Sequence, residues 1–326
     1  MKGKRESGSP SLPFPGFSGG SAAVPVGEPL SFAELTAEPL SEITDPCFIK
    51  TSDNIHLAFY PYTPLEKPRR VLLFVHGGGA CSSLGYQYLA ETLSAGYRTA
   101  VYLLDLRGHG LSGGPRGDAP SWERVWRDLS EMIDLVKDGN PGIPLLLGGH
   151  SSGGGLVLNY AGWRNRRTAD GYVFIAPKWG YASKADRYSV GRDPFARIRP
   201  GRIILNQLTG GILFDHSDAV EMNYSGDRKK AQPLLVDRYT CSMVKAVTPA
   251  NPKKQFGKIN RPFSIFIGAE DELFLPDRTV EMAQYAKKSL RNRSKTAVLP
   301  NQNHLGILRS AGMLIGTFFE GPESFA

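Results

Sequence analysis

Short apolar runs alternate with longer amphipathic stretches from about residue 70 to residue 320, a rhythm that predicts a layered α/β domain. Runs at 71–75, 99–104, 145–148, 172–176, 263–267 and 296–299 are short and mostly apolar, as strands covered on both faces require. Between them, 86–95, 122–137, 156–163, 277–290 and 306–319 carry apolar residues at helical spacing. Upstream, Phe48-Ile49-Lys50-Thr51, the turn Ser52-Asp53-Asn54 and the run from Ile55 to Tyr60 read as a hairpin. It is expected to form an antiparallel edge of the sheet. Residues 1–40 are rich in Gly, Ser and Pro without a sustained period and are expected to be a mobile extension. The alternation breaks once, because 178–258 offers no strand-helix pair. An inserted cap is expected there, over the carboxyl ends of the strands where such sheets bind ligands, with 41–177 and 259–326 forming the core.

Composition narrows the class. A chain of 326 residues with 41% hydrophobic positions can bury a large core. Cys47, Cys81 and Cys241 are odd in number and widely spaced, which argues against a disulfide framework or a Cys-x-x-Cys site. No apolar run reaches membrane-spanning length, and no apolar segment follows the early Lys2, Lys4 and Arg5. A reducing, cytoplasmic setting is therefore expected. The formal charge of +8 is confined to 178–258, which holds 15 Lys and Arg against 7 Asp and Glu. There Arg192, Arg197, Arg199 and Arg202 surround Phe195, Ile198, Ile203 and Ile204. The mixture suits a solvated surface, peripheral contact with anionic lipid or an acidic substrate. No basic motif interleaved with aromatics is visible, so no nucleic-acid partner is expected.

The chemistry centres on Gly149-His150-Ser151-Ser152-Gly153, which joins an apolar strand to a helix-like stretch. Strand, sharp turn and helix in that order make Ser151 a candidate nucleophile, with small neighbours relieving a cramped backbone. A serine hydroxyl needs a positioned base, and the base needs an orienting carboxylate. Of six histidines, His304 alone follows the last strand. His76 is expected to brace the loop Gly77-Gly78-Gly79, and His150 to point away from the nucleophile. The loop after 263–267 reads Gly268-Ala269-Glu270-Asp271-Glu272. Asp271 is the expected triad acid, with Glu270 and Glu272 left solvated. Two backbone N–H donors must meet the oxyanion. Ser152 supplies one and Gly78 the other, with Gly79 next in line. Apolar Phe195, Leu208, Leu213 and Phe214 are the expected substrate-binding residues. The scheme requires no metal and no cofactor.

These residues resemble the monoacylglycerol lipase and lysophospholipase-like branch of the α/β-hydrolases, which includes serine aminopeptidase-like sequences. The resemblance is carried by His76-Gly77-Gly78-Gly79, Asp105-Leu106-Arg107-Gly108-His109-Gly110-Leu111-Ser112, Gly149-His150-Ser151-Ser152-Gly153-Gly154, Gly268-Ala269-Glu270-Asp271 and Asn303-His304. Together they span about 45–320. The resemblance implies an α/β-hydrolase fold, an acyl-enzyme mechanism and a small-molecule acyl ester substrate: a monoglyceride, lysophospholipid or smaller ester. It makes Asp105 structural. Ser152 departs from the Met usual after the family's nucleophile, and Gly78-Gly79 resembles the loop of hormone-sensitive-lipase-like esterases. Amide or lactone cleavage by the same triad, and a silent ligand-binding protein of this fold, are the rival readings.

Overall fold

The computed structural model describes residues 43–187, 195–224 and 233–320. The expected extension at 1–40 and Arg192 lie outside them. Eleven strands and nine α-helices are described. Eight strands form one sheet: β1 (Cys47–Lys50), β2 (His56–Tyr62), β3 (Arg70–Val75), β4 (Thr99–Leu104), β5 (Leu145–His150), β6 (Gly171–Ile175), β10 (Phe263–Gly268) and β11 (Lys295–Leu299). Their order is β1-β2-β4-β3-β5-β6-β10-β11. β1 pairs antiparallel with β2 and β2 with β4, and the remaining pairs are parallel. The hairpin is thus the antiparallel edge that its sequence predicts.

Alternation within each buried strand divides the core. Val71, Leu73 and Val75 pack with Leu129 and Ile133 of α2 (Trp122–Gly139) and with α3 (Ser152–Gly162). Leu72 and Phe74 point to the other face, against α1 (Gln87–Tyr97) and α9 (Ile307–Glu320). Helices on both faces explain why these strands read as unbroken apolar runs.

Two helices differ from expectation. α3 starts at Ser152 and not near 156, because Gly153-Gly154-Gly155, poor helix formers, sit where the helix must press close to its neighbours. The stretch 277–290 is broken into α7 (Pro276–Glu281), a 3-10 turn (Met282–Tyr285) and α8 (Lys288–Arg291), with extended backbone at Ala286 and Lys287. Tyr285 is held against α6 (Pro252–Phe256), with Lys253 Nζ 4.8 Å over its ring, so packing overrides the helical pattern.

The insertion is less irregular than its sequence suggests. β7 (Ala196–Ile198), β8 (Asp218–Met222) and β9 (Arg238–Thr240) form a separate antiparallel sheet, with α4 (Pro200–Leu208) between the first two. Strands of three to five residues are too short to show a period of two. α5 (Cys241–Val247) and α6 then pack on the helices of the main domain. Residues 241–256 therefore join its helical layer, and the separate sheet ends at Thr240. No helix among the described residues is long and apolar enough to cross a membrane.

Candidate active site

The loops leaving β3, β5, β10 and β11 meet at the carboxyl end of the sheet. Ser151 occupies the turn between β5 and α3 at φ 54° and ψ −120°. Such backbone costs a non-glycine residue on the order of 1–3 kcal/mol and persists only where the surroundings enforce it. Here the Ser151 N–H donates to the Ile175 carbonyl at 3.0 Å, and its own carbonyl accepts from Lys178 and Gly155. A Cβ on Gly149 would collide with the Gly153 carbonyl group, so the turn closes only with glycine there.

His304 and Asp271 come together as expected. Both are buried, and His304 Nδ1 lies 2.8 Å from Asp271 Oδ2. The other carboxylate oxygen accepts the backbone N–H groups of Leu273 (2.9 Å) and Phe274 (2.7 Å), which fixes the acid. No protein hydrogen bond occupies His304 Nε2 among the described residues. Glu270 is exposed, but Glu272 is not solvated as expected: its Oε2 accepts the His304 backbone N–H at 2.8 Å. Burial pushes the Glu272 carboxyl above its ordinary value, against the pull of that hydrogen bond. Two adjacent acids can both face one histidine when one takes its ring and the other its backbone.

Of the loop after β3, Gly77 and Gly78 border the serine turn. A Cβ on Gly77 would lie 3.3 Å from Ser151 Cβ, and one on Gly78 would lie 3.1 Å from Ser152 Oγ. Gly79, the alternative donor, is already engaged, because its N–H donates to Tyr239 Oη at 2.8 Å. The Gly78 and Ser152 amides have no protein acceptor among the described residues. Ser152 opens α3, where the first N–H groups lack an intrahelical partner.

His76 braces this loop, its Nδ1 2.8 Å from the Gly77 carbonyl and its Nε2 accepting from the Leu106 N–H. His150 turns from the hydroxyl but not from the site. Its Nε2 lies 3.0 Å from the His304 carbonyl and its Nδ1 2.9 Å from Tyr86 Oη, which accepts the Gly77 N–H at 2.7 Å. Burial, aided by nearby His304, holds the His150 imidazole well below its ordinary value, so it stays neutral. Neither Tyr86 nor Tyr239 carries a sequence signal for this contact, since a buried tyrosine hydroxyl finds its partner only in three dimensions. Asp105 is fully buried and accepts from Ser82, Leu111 and Tyr60, a structural role.

The four expected substrate-binding residues are not together. Phe195 packs edge-on against Tyr224, ring centroids 5.5 Å apart, and a Cβ on Gly79 would collide with Tyr224 Oη. Leu208, Leu213 and Phe214 are exposed at the end of α4 and beyond it, on an element that packs against β8 and α5. No cluster of His, Cys, Asp or Glu suited to a metal lies among the described residues.

Serine after β5, carboxylate after β10 and histidine after β11 is the order of the α/β-hydrolase fold, and the sheet is that fold's. Within it, the chain belongs to the serine aminopeptidase S33 family, whose model matches residues 66–305. Human monoglyceride lipase is 25% identical over 223 residues, covering 68% of this chain and 72% of that protein. Monoacylglycerol lipase of Mycolicibacterium smegmatis is 31% identical over 106 residues, 32% of this chain and only 37% of the relative's length. Among solved structures, a soluble variant of Saccharomyces cerevisiae monoglyceride lipase, in complex with a substrate analog, superposes with a TM-score of 0.63 at 17% identity, covering 87% of this chain and 96% of its own. A carboxyl esterase from Bacillus coagulans, in complex with glycerol, gives 0.65 at 16%, covering 87% and 100%. At these identities the structures share the fold.

Proposed function

We propose that the protein hydrolyses carboxylic esters through an acyl-enzyme on Ser151. The observation that carries this reading is the buried His304–Asp271 pair on the loops facing a strained serine turn. Asp271 holds the Nδ1 proton, which leaves Nε2 to take the Ser151 proton as the hydroxyl attacks the acyl carbon. Gly78 and Ser152, whose amides have no protein acceptor among the described residues, donate to the oxyanion. Nε2 then returns the proton to the departing alcohol, and water repeats the sequence to release the acid. The lipase and esterase names of the relatives support an acyl ester as substrate, and a monoglyceride, lysophospholipid or smaller ester suits the site.

The region 178–240 acts in this reading as a cap. Phe195 belongs to the acyl site through Tyr224 and Met222, which border Gly79. Leu208, Leu213 and Phe214, with Ile204, form an exposed apolar face that meets lipid, flanked by Arg197, Arg199 and Arg202. The family's description as serine aminopeptidase favours one second reading, amide cleavage at a free amino terminus. Purified protein assayed on acyl esters of graded chain length, an aminoacyl amide and a lactone separates the readings. Ester turnover that varies with chain length is expected; faster turnover of the amide or the lactone would overturn the ester assignment.

A further inference from the structure

We propose that Tyr239 of the insertion is a positioning residue for the oxyanion site, so that seating the insertion on the core sets the loop carrying Gly78. The proposal rests on the ester-hydrolase reading above. Three consecutive glycine amides leave β3, and the outer two are gripped alike. Gly77 donates to Tyr86 Oη at 2.7 Å and Gly79 to Tyr239 Oη at 2.8 Å. Each hydroxyl in turn lies against a buried histidine, Tyr86 against His150 Nδ1 at 2.9 Å and Tyr239 against His109 Nε2 at 2.7 Å. Between the two grips, the Gly78 amide is left without a protein acceptor among the described residues.

The direction of the second grip follows from its far end. His109 Nδ1 lies 2.9 Å from the Arg107 carbonyl, which only accepts, so Nδ1 carries the proton and Nε2 is the acceptor. Tyr239 must therefore donate to His109, which turns an oxygen lone pair toward the Gly79 N–H. Burial raises the phenol and lowers the imidazole, keeping both neutral in these roles.

The two grips differ in origin. Tyr86 belongs to the core, whereas Tyr239 stands on β9 of the separate sheet. Gly79 is held by that sheet's chain on its other side too, its carbonyl accepting the Val236 N–H at 2.8 Å. Its φ is +69°, and an added Cβ would lie only 2.5 Å from the Val236 carbonyl oxygen, which leaves room for glycine alone. An insertion that shifts on the core would thus pull Gly79, and with it the amide of Gly78.

Tyr239→Phe keeps the ring and removes the acceptor. The expected result is a kcat for a soluble ester lowered about tenfold or more, with KM within about twofold, since a misplaced oxyanion donor weakens the transition state and not substrate binding. Inhibition by a trifluoromethyl ketone, which forms an oxyanion, should weaken by a similar factor, while the matching secondary alcohol binds as before. An unchanged kcat, or equal weakening of ketone and alcohol, would overturn the proposal. If the variant does not fold, 3,5-difluorotyrosine at position 239 retains the shape and weakens the acceptor; a graded loss of kcat supports the relay, and wild-type kcat overturns it. Failure of the ester reading shows separately, as wild-type protein that neither turns over the ester nor is modified at Ser151 by a fluorophosphonate.

Discussion

At Gly79 two regions of opposite construction touch. On the core side, the candidate site fixes its acid and histidine from several directions: Asp271 accepts three hydrogen bonds, and His304 is held by its ring, its N–H and its carbonyl. On the other side, the insertion has strands of three to five residues and leaves Leu208 77% and Ile212 86% exposed. The first arrangement tolerates no slack, because an angstrom of misplacement at a reacting centre costs on the order of a hundredfold. The second keeps apolar surface uncovered, which a monomeric protein rarely does without a use. One region is built for geometry; among its described residues the other leaves apolar surface open, which the proposed reading gives to contact with lipid.

The largest effect that sharpens this contrast belongs to the core side. Asp271→Asn should lower kcat by on the order of 10⁴, because the amide would hold the imidazole in the wrong tautomer. Steady-state rates on a soluble ester measure it, with Glu270→Gln, an exposed acid off the histidine, staying near wild type. A collapse of Glu270→Gln beside an active Asp271→Asn would mean that the acid has been misassigned.

Surface binding probes the other region. Replacing Arg197, Arg199 and Arg202 by Gln should weaken sedimentation with anionic vesicles by roughly a hundredfold at low salt, at about 1 kcal/mol per charge near such a surface. Soluble-ester turnover should stay close to wild type. Equal and negligible binding by both proteins would remove the lipid role and leave the exposed apolar face unexplained.

Acid should loosen the core side next. Burial holds His76, His109 and His150 below their ordinary value, so the unfolded chain takes up protons there that the folded one does not. Stability is then full above about pH 6.5 and falls as pH drops below it, by about 1.4 kcal/mol per pH unit for each such histidine. Denaturant unfolding at pH 7.5 and 5.5 measures the slope, which should be shallower in His109→Gln. An equal slope in that variant would show that His109 takes up its proton in the folded protein too.

The smallest effect concerns Glu272. Glu272→Gln exchanges a charged acceptor of the His304 N–H for a neutral one and should cost about threefold in kcat, near the size of one altered hydrogen bond. A loss comparable to that of Asp271→Asn would make Glu272 a working partner of the imidazole and not a brace.

How much was legible in the sequence follows the same division. Strands such as Arg70–Val75 and Thr99–Leu104 announce themselves because burial on both faces demands unbroken apolar runs. Ser151, Asp271 and His304 stand out as candidates because each follows a strand, although the strand before His304 is largely exposed, and the loops after the carboxyl ends of strands are where such sheets bind ligands. What the sequence hides is contact made by a single long-range hydrogen bond. Tyr239 meets Gly79 from 160 residues away, and nothing in its neighbours marks that contact. The insertion hides its small sheet for another reason, since Ala196–Ile198 and Arg238–Thr240 are too short to show a period. Leu208, Leu213 and Phe214 read as pocket residues only because an apolar side chain looks the same whether it faces a substrate or a surface.

The strained turn at Ser151 is, in this account, where the acyl group is carried. Incubation with a fluorophosphonate, followed by mass spectrometry of the digested protein, tests it directly. One adduct is expected, on Ser151, matched by loss of ester hydrolysis and absent from Ser151→Ala. An adduct on Ser152, or a Ser151→Ala protein that still turns over the ester, would contradict it.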